Sequence, residues 1–358
     1  MFRLQELGWN DFFAAQILEN ENEVFTPARV AEESRGRYRL YSESGESWSE
    51  LAGKFRHSAL ERADFPAVGD WILAQIRPGE NRAIVHRVLA RRTKFSRKTA
   101  GKKTEEQIVA ANIDTLLLVS SLNREFNPRR LERYLSLAWE SGARPILILN
   151  KADACEDAES LLADAESASL GVRILLTSAL CGDGIAELRQ IVCDAGTSAL
   201  LGSSGVGKST LINAILGENR QLTSAVRETD DRGRHTTTSR QLILVPGGGV
   251  LIDTPGMREL QLWDTAHGLE RTFTDVYSLA TQCKFRDCRH QSEPGCAVRA
   301  AAEIGDLDTE RLANYHKLER EEQFLASKQD AAIRAERTKA MRRLMKNVNR
   351  MYRDREKT

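Results

Sequence analysis

Gly202-Ser203-Ser204-Gly205-Val206-Gly207-Lys208-Ser209 is the stretch that decides the fold of this 358-residue chain. It matches G-x-x-x-x-G-K-[ST] at every fixed position. Apolar Ala199-Leu200-Leu201 precedes it, and Thr210-Leu211-Ile212-Asn213-Ala214-Ile215 follows. Strand, glycine-rich loop and helix, in that order, make the motif a phosphate-binding loop. The glycines let successive N–H groups point inward, and the following helix adds the positive end of its dipole. Lys208 is then placed to reach the β and γ phosphates and Ser209 to ligate magnesium.

Upstream, the apolar run Pro145 to Leu149 reads as a buried parallel strand and ends in Asn150-Lys151-Ala152-Asp153. A carboxylate at Asp153 selects guanine, because it accepts from both the ring N–H and the exocyclic amine. Adenine presents a ring acceptor there instead. Lys151 is expected along the base, and Asn150 as a tie between this loop and its neighbours. A second run, Val172 to Leu176, ends in Thr177-Ser178-Ala179, whose small residues let backbone N–H groups approach the base oxygen.

Downstream, Val250-Leu251-Ile252 leads into Asp253-Thr254-Pro255-Gly256. Asp253 is expected to hold the magnesium shell through water and the Gly256 N–H to sense the γ phosphate. Between the two lies Arg232-Gly233-Arg234-His235-Thr236-Thr237-Thr238, a polar segment able to offer a threonine hydroxyl to the metal. Four motifs at the ends of apolar runs predict an α/β, doubly wound P-loop core. In an ordinary small GTPase the phosphate loop comes first and the guanine motif near the end. Here the order is rotated, which predicts a circularly permuted GTPase domain over residues 112–272.

Ras-type hydrolysis uses a glutamine just after Asp-x-x-Gly to orient water. Met257 stands there, and an apolar side chain cannot take that role. His235 is the internal candidate, since an imidazole accepts from water and titrates near neutrality. Arg232 and Arg234 flank it, available either to transition-state charge or to RNA. Gly205 offers no side chain to a monovalent cation, so magnesium is expected without a potassium requirement. Slow turnover of the isolated protein and stimulation by a partner follow.

Residues 1–95 read as an N-terminal extension and a small β-barrel. Short β-prone runs recur at Ala28 to Val30, Arg37 to Tyr41, Trp48 to Phe55, Asp70 to Ile76 and Ala83 to Val88. Five such strands fit an OB-fold, a frequent oligonucleotide binder, and an SH3-like barrel has the same signature. Residues 96–111 are read as a basic linker, continuing the run from Arg91 to Lys103. Each of its cations placed on a phosphate would release counterions and add salt-sensitive RNA affinity. The formal net charge of +1 is uninformative until resolved in this way.

Residues 273–358 hold Cys283, Cys288, His290 and Cys296, half of the chain's six cysteines. Three thiols and an imidazole satisfy structural zinc and leave no open coordination position. Cys155, Cys181 and Cys193 read as free thiols. Leu307 to Leu325 has helical spacing, and a basic tail beyond Lys328 includes Arg334, Arg337, Arg342, Arg343 and Lys346. The apolar face of that tail is modest for a membrane anchor, which favours RNA. No apolar stretch is long enough to span a bilayer, and the N-terminus carries Arg3, Glu6 and Asp11 without a signal-type core, so a cytoplasmic location is expected.

In its permuted motif order, β-rich N-terminus and Cys/His cluster, the chain resembles the RsgA/YjeQ family of ribosome-small-subunit-dependent GTPases over nearly its whole length. Asn150, Lys151 and Asp153 match the family's base motif, Gly202 through Ser209 its phosphate loop, and Gly233 through Thr238 its Gly-Arg-His-Thr-Thr-Thr segment. The resemblance implies an OB-fold, a permuted GTPase and a zinc-containing helical region. It also implies GTP hydrolysis to GDP during late maturation of the small (30S) ribosomal subunit, on 16S rRNA. It points to His235 for catalysis and to Thr237 for magnesium. A monomer with no DNA or membrane partner is expected. The competing reading is a GTP-switched RNA-binding translation factor that is not specific to subunit assembly.

Overall fold

A computed structural model describes residues 2–59, 61–77, 81–98, 106–123, 126–217, 240–253 and 266–327. Alternating apolar residues bounded by glycines build the first five strands: β1 (Thr26–Ser34), β2 (Arg37–Ser42), β3 (Gly45–Leu51), β4 (Trp71–Ile76) and β5 (Arg82–Val88). They pair in the order β1-β2-β3-β5-β4, and β4 returns to β1 to close a barrel. The β3–β5 pair is parallel and the others antiparallel. This Greek-key closure is of the OB type. Ala28, Val30, Tyr38, Leu40, Ile72, Ala74, Ala83 and Val85 fill the interior.

The third strand starts and stops earlier than its sequence predicts. The tight hairpin from β2 sets its start, with Ser42 opposite Gly45. Its end is set where the Ala52 N–H reaches the Val85 carbonyl at 2.9 Å and the chain turns into the short helix α3 (Gly53–Ser58).

The short helices α1 (Asp11–Ala14) and α2 (Glu19–Asn22) precede the barrel. There Trp9 meets Trp71 edge-on, with ring centroids 4.6 Å apart. Arg29, fully buried, donates to the carbonyls of Leu7, Gly69 and Asn112 and lies over the Trp71 ring. One guanidinium thus ties the N-terminal segment, the barrel and the start of the α/β core. Burial lowers its pKa to about 10.

The basic linker expected over 96–111 is in part an ordered hairpin. Strand β6 (Lys94–Lys98) pairs antiparallel with β7 (Glu106–Ala111), while 99–105 lie outside the described residues. Phe95, Ile108 and Val109 are buried in the hairpin, an apolar content that the neighbouring charges masked. Several of those charges are already paired: Arg91 with buried Asp70 at 2.7 Å, Arg92 with Asp114 at 2.5 Å, and Lys94 with Glu106 at 2.8 Å.

The core continues through β8 (Thr115–Ser121), α4 (Pro128–Ser141), β9 (Arg144–Asn150), α5 (Ala158–Ala168), β10 (Arg173–Thr177), α6 (Ile185–Asp194), β11 (Thr197–Gly202), α7 (Lys208–Leu216), β12 (Gln241–Leu244) and β13 (Val250–Asp253). The sheet order is β10-β9-β8-β11-β13-β12, parallel except at β12. Both faces are covered, so these strands are apolar throughout rather than alternating with polar residues. Leu116, Leu118, Leu147 and Leu149 face α4 and α5, whereas Leu117, Val119, Ile146 and Ile148 face α6 and α7. The chain steps outward from β8 to β10 and then returns to β11 on the other side of β8. The carboxyl ends of β8 and β11 therefore diverge, which opens a crevice at the topological switch point.

After the core come α8 (Ala266–Thr272), α9 (Thr274–Ala280), α10 (Ala297–Ile304) and a helix over 309–327, here α11. Leu269, Phe273, Val276, Val298, Leu312, Tyr315 and Leu318 form their common core. Helix α8 crosses α4 closely, and a Cβ on Gly268 would collide with the Ser136 carbonyl oxygen. The barrel also joins the α/β sheet edge to edge, where Glu32 of β1 stands opposite Gln241 of β12. Among the described residues no helix is long and apolar enough to cross a membrane. The basic tail from residue 328 lies outside them.

Candidate nucleotide site and metal centre

Three loops meet at the carboxyl ends of β9, β10 and β11, and Asn150 is what they share. Its Nδ2 donates to the Val206 carbonyl in the glycine-rich loop at 2.8 Å. Its Oδ1 accepts from Thr177 Oγ1 at 3.2 Å and from the Ala179 N–H at 3.1 Å. Asn150 is 2% exposed, so one buried amide carries all three bonds. Gly207 caps α7 with φ +97, and a Cβ there would collide with that same amide. The glycine is therefore required both by conformation and by close approach.

The glycine-rich loop runs from Gly202, the last residue of β11, to Lys208, the first of α7. Lys208 Nζ donates to the carbonyls of Gly202 at 2.7 Å and Ser203 at 2.6 Å, which holds the amine over the loop. Ser209 and Thr210 lie in the first turn of α7, between the loop and the apolar face of that helix. Ser204, Gly205 and Val206 form the bend, with Gly205 at φ +80. Lys151 adopts φ +65 and starts the short 3-10 turn Ala152–Ala154 that presents Asp153. The next loop is tight, with the Ser178 hydroxyl accepting from the Cys181 N–H at 3.0 Å. Asp253 ends β13 and is buried.

A crevice beside the loop is lined by Ser120, Ser121, Asn127, Arg130, Tyr134 and Ser203. Arg130 Nη1 donates to Ser203 Oγ at 3.1 Å, and the Tyr134 hydroxyl lies 3.1 Å from the same oxygen. Neither residue stands out in the sequence. They stand one helical turn apart on α4 and belong to no motif, so only the fold brings them to the loop. Arg232, Arg234, His235, Thr236, Thr237, Thr238, Thr254, Gly256 and Met257 lie outside the described residues.

The model of the RsgA GTPase family matches residues 88–263. A small ribosomal subunit biogenesis GTPase RsgA of Opitutus terrae is 46% identical over 93% of this chain and 94% of its own length. The chain belongs to the RsgA GTPase family. A Streptomyces coelicolor member with the same description is 43% identical, covering 95% of this chain and 92% of that protein. The crystal structure of YjeQ from Thermotoga maritima superposes with a TM-score of 0.62 at 28% identity, over 84% of this chain and 99% of that one. YloQ, described as a circularly permuted GTPase, shares the fold at a TM-score of 0.61. The RsgA fold thus accounts for the rotated motif order, and the chain is a GTP hydrolase.

A second candidate site lies in the C-terminal region. Cys283, Cys288, His290 and Cys296 bring their ligand atoms within 4.8 Å of one another. Cys283 Sγ and Cys296 Sγ are 3.9 Å apart, and His290 Nδ1 lies 3.5 and 3.4 Å from them. Tetrahedral zinc with bonds of about 2.3 Å requires sulfur separations of roughly 3.8 Å, so the donor set fits a metal ion. His290 holds φ +58 in a loop organised by the Glu293 carboxylate. That carboxylate accepts from its own amide and those of Arg289 and Gln291, which pulls its pKa down to about 2.

Proposed function

We propose that this chain couples GTP hydrolysis to docking on the small ribosomal subunit during subunit biogenesis. One observation carries the reading: the relatives that bear that description match across more than nine-tenths of this chain, barrel and Cys/His region included. The barrel, the Cys/His region and the basic tail contact 16S rRNA in this reading, and the protein works as a cytoplasmic monomer.

At the site, Asp153 accepts both guanine donors, Lys151 lies along the base, and the Thr177–Ala179 loop presents N–H groups to the base oxygen. The bonds of Asn150 support this, since they fix the base loop relative to the phosphate loop. Residues Gly202 to Thr210 cradle the phosphates with backbone N–H groups, and Lys208 meets the β and γ oxygens. Ser209, Thr237 and Asp253 supply the oxygen donors that suit magnesium, which when bound neutralises charge developing between the two phosphates. His235 accepts a proton from the attacking water as the new oxygen bond to the γ phosphorus forms. The bond to the β-phosphate oxygen breaks, and GDP leaves. The Gly256 N–H senses the γ phosphate. Zinc held by Cys283, Cys288, His290 and Cys296 stabilises the C-terminal fold, with no open position for chemistry.

The test is GTP turnover by the purified protein alone and with small subunits, large subunits or bulk RNA at matched phosphate and two salt levels. Stimulation confined to small subunits is expected. Equal stimulation by any RNA would replace this reading with that of a general RNA switch.

A further inference from the structure

We propose that α4 is a positioning element that sets the phosphate loop according to how the C-terminal region is seated, and that Ser203 is the residue it acts on. The inference rests on reading Gly202 to Ser209 as the phosphate loop.

Two faces of α4 make different contacts. On one, Arg130 and Tyr134 share the Ser203 hydroxyl, each at 3.1 Å. The carbonyl of Ser203 in turn holds Lys208 Nζ at 2.6 Å, so moving Ser203 moves the amine that meets the phosphates. On the other face, Glu132 is fully buried. Its carboxylate accepts from Arg311 at 3.0 Å, from Asn314 at 2.6 Å and from Arg129. Arg129 also pairs with Asp308, and Arg133 with Glu321 at 2.8 Å.

Arg311 does more than meet Glu132. It donates to Asp275 at 2.7 and 3.0 Å and to the Thr272 carbonyl at 2.8 Å, and lies over the Phe273 ring. It thus fastens the α8–α9 junction and α11 to α4 with a single side chain. A buried carboxylate tied this way has one satisfied arrangement, because losing any partner leaves a buried carboxylate oxygen short of a hydrogen bond. Helix α4 therefore follows α11 as a rigid unit. A contiguous chain of bonds runs from Arg311 through Glu132 and across α4 to Tyr134, Ser203 and Lys208. Any partner that shifts the C-terminal region biases the phosphate loop, and by linkage nucleotide must bias the C-terminal region equally.

The experiment compares full-length wild type, Tyr134→Phe, Asn314→Ala and the double variant in GTP turnover and GDP affinity. Tyr134→Phe removes one hydrogen bond and Asn314→Ala two, to Glu132 and to the Arg129 carbonyl at 3.3 Å, and each change is expected to lower kcat/KM roughly three- to tenfold. The double variant is expected to be no worse than the weaker single, since both act on the same chain, in which Arg130 still holds Ser203. Multiplying effects, or an Asn314→Ala protein with wild-type kcat and KM, would overturn the proposal. Should Asn314→Ala fail to fold, amide exchange decides. Saturating GDP is expected to slow exchange across 309–327 in wild type but not in Tyr134→Phe with GDP bound, and no slowing in wild type overturns the coupling. Lys208→Ala, run in the same series, separates the two levels. Undiminished GTP turnover by that variant removes the phosphate-loop assignment itself, whereas lost turnover with multiplying effects elsewhere removes only the coupling.

Discussion

Asn150 and Val206 stand 56 positions apart and are joined by a 2.8 Å hydrogen bond from the side-chain amide of one to the main-chain carbonyl of the other. The bond fastens base loop to phosphate loop in a chain where the first precedes the second. Replacing Asn150 by Ala leaves the Val206 carbonyl and the Ala179 N–H without that partner. A stability loss of about 1–3 kcal/mol is expected, together with weaker binding of all guanine nucleotides. Denaturant unfolding and GDP titration on one preparation check both effects.

Asp153→Asn should exchange guanine for xanthine, because an amide can donate to the oxygen that replaces the exocyclic amine. GTP is expected to lose roughly a hundredfold or more in kcat/KM, the weight of a bidentate charge-assisted pair, while XTP gains. Parallel turnover assays with the two nucleotides decide it, and an unchanged preference for GTP would remove Asp153 from the base site.

Metal analysis should return one zinc per chain, and a strong chelator should lower the melting temperature. Structural zinc contributes folding free energy directly, so the loss should appear as faster proteolysis around 283–296 before the GTPase core yields. Cys288→Ser is expected to bind zinc more weakly and to reproduce the effect.

Burial pushes the Tyr38 hydroxyl of the barrel up to about 12 from its ordinary value of 10. The unfolded chain therefore releases this proton near pH 10, and the folded chain holds it until near pH 12. Stability should fall across that window by up to about 3 kcal/mol. The comparison is urea unfolding of wild type and Tyr38→Phe between pH 9 and pH 12, in which the variant should lack this part of the decline.

Gly268→Ala should destabilise the crossing of α4 and α8, because the added methyl group meets the Ser136 carbonyl. A cost of about 1–3 kcal/mol is expected from overpacking, read as a drop in the thermal midpoint.

Much of this molecule is legible in local sequence, and the reason is physical. A phosphate loop demands glycines at fixed spacing, here Gly202, packed against the Val119 carbonyl, and Gly207, at positive φ, and both fall within a few residues. Continuous apolar runs mark strands covered on both faces, so the doubly wound core could be read directly. The four Cys/His side chains are clustered in sequence as well as in space. What stayed hidden depends on distant partners. Glu132 is separated from Arg311 by 179 positions, and on its own it reads as one more helical charge. The hairpin at Phe95 was obscured because cations outnumber apolar residues there, although Arg91, Arg92 and Lys94 each have an acidic partner.

The pairing of Glu32 with Gln241 has a consequence for dissecting the molecule. Strand β12 is the outermost strand of the GTPase sheet on that side, and β1 meets its free rim at that one residue pair. Excising the barrel would leave a row of main-chain donors and acceptors open to another chain, a template for aberrant strand addition. The OB-type module therefore caps part of that sheet edge, whatever it binds.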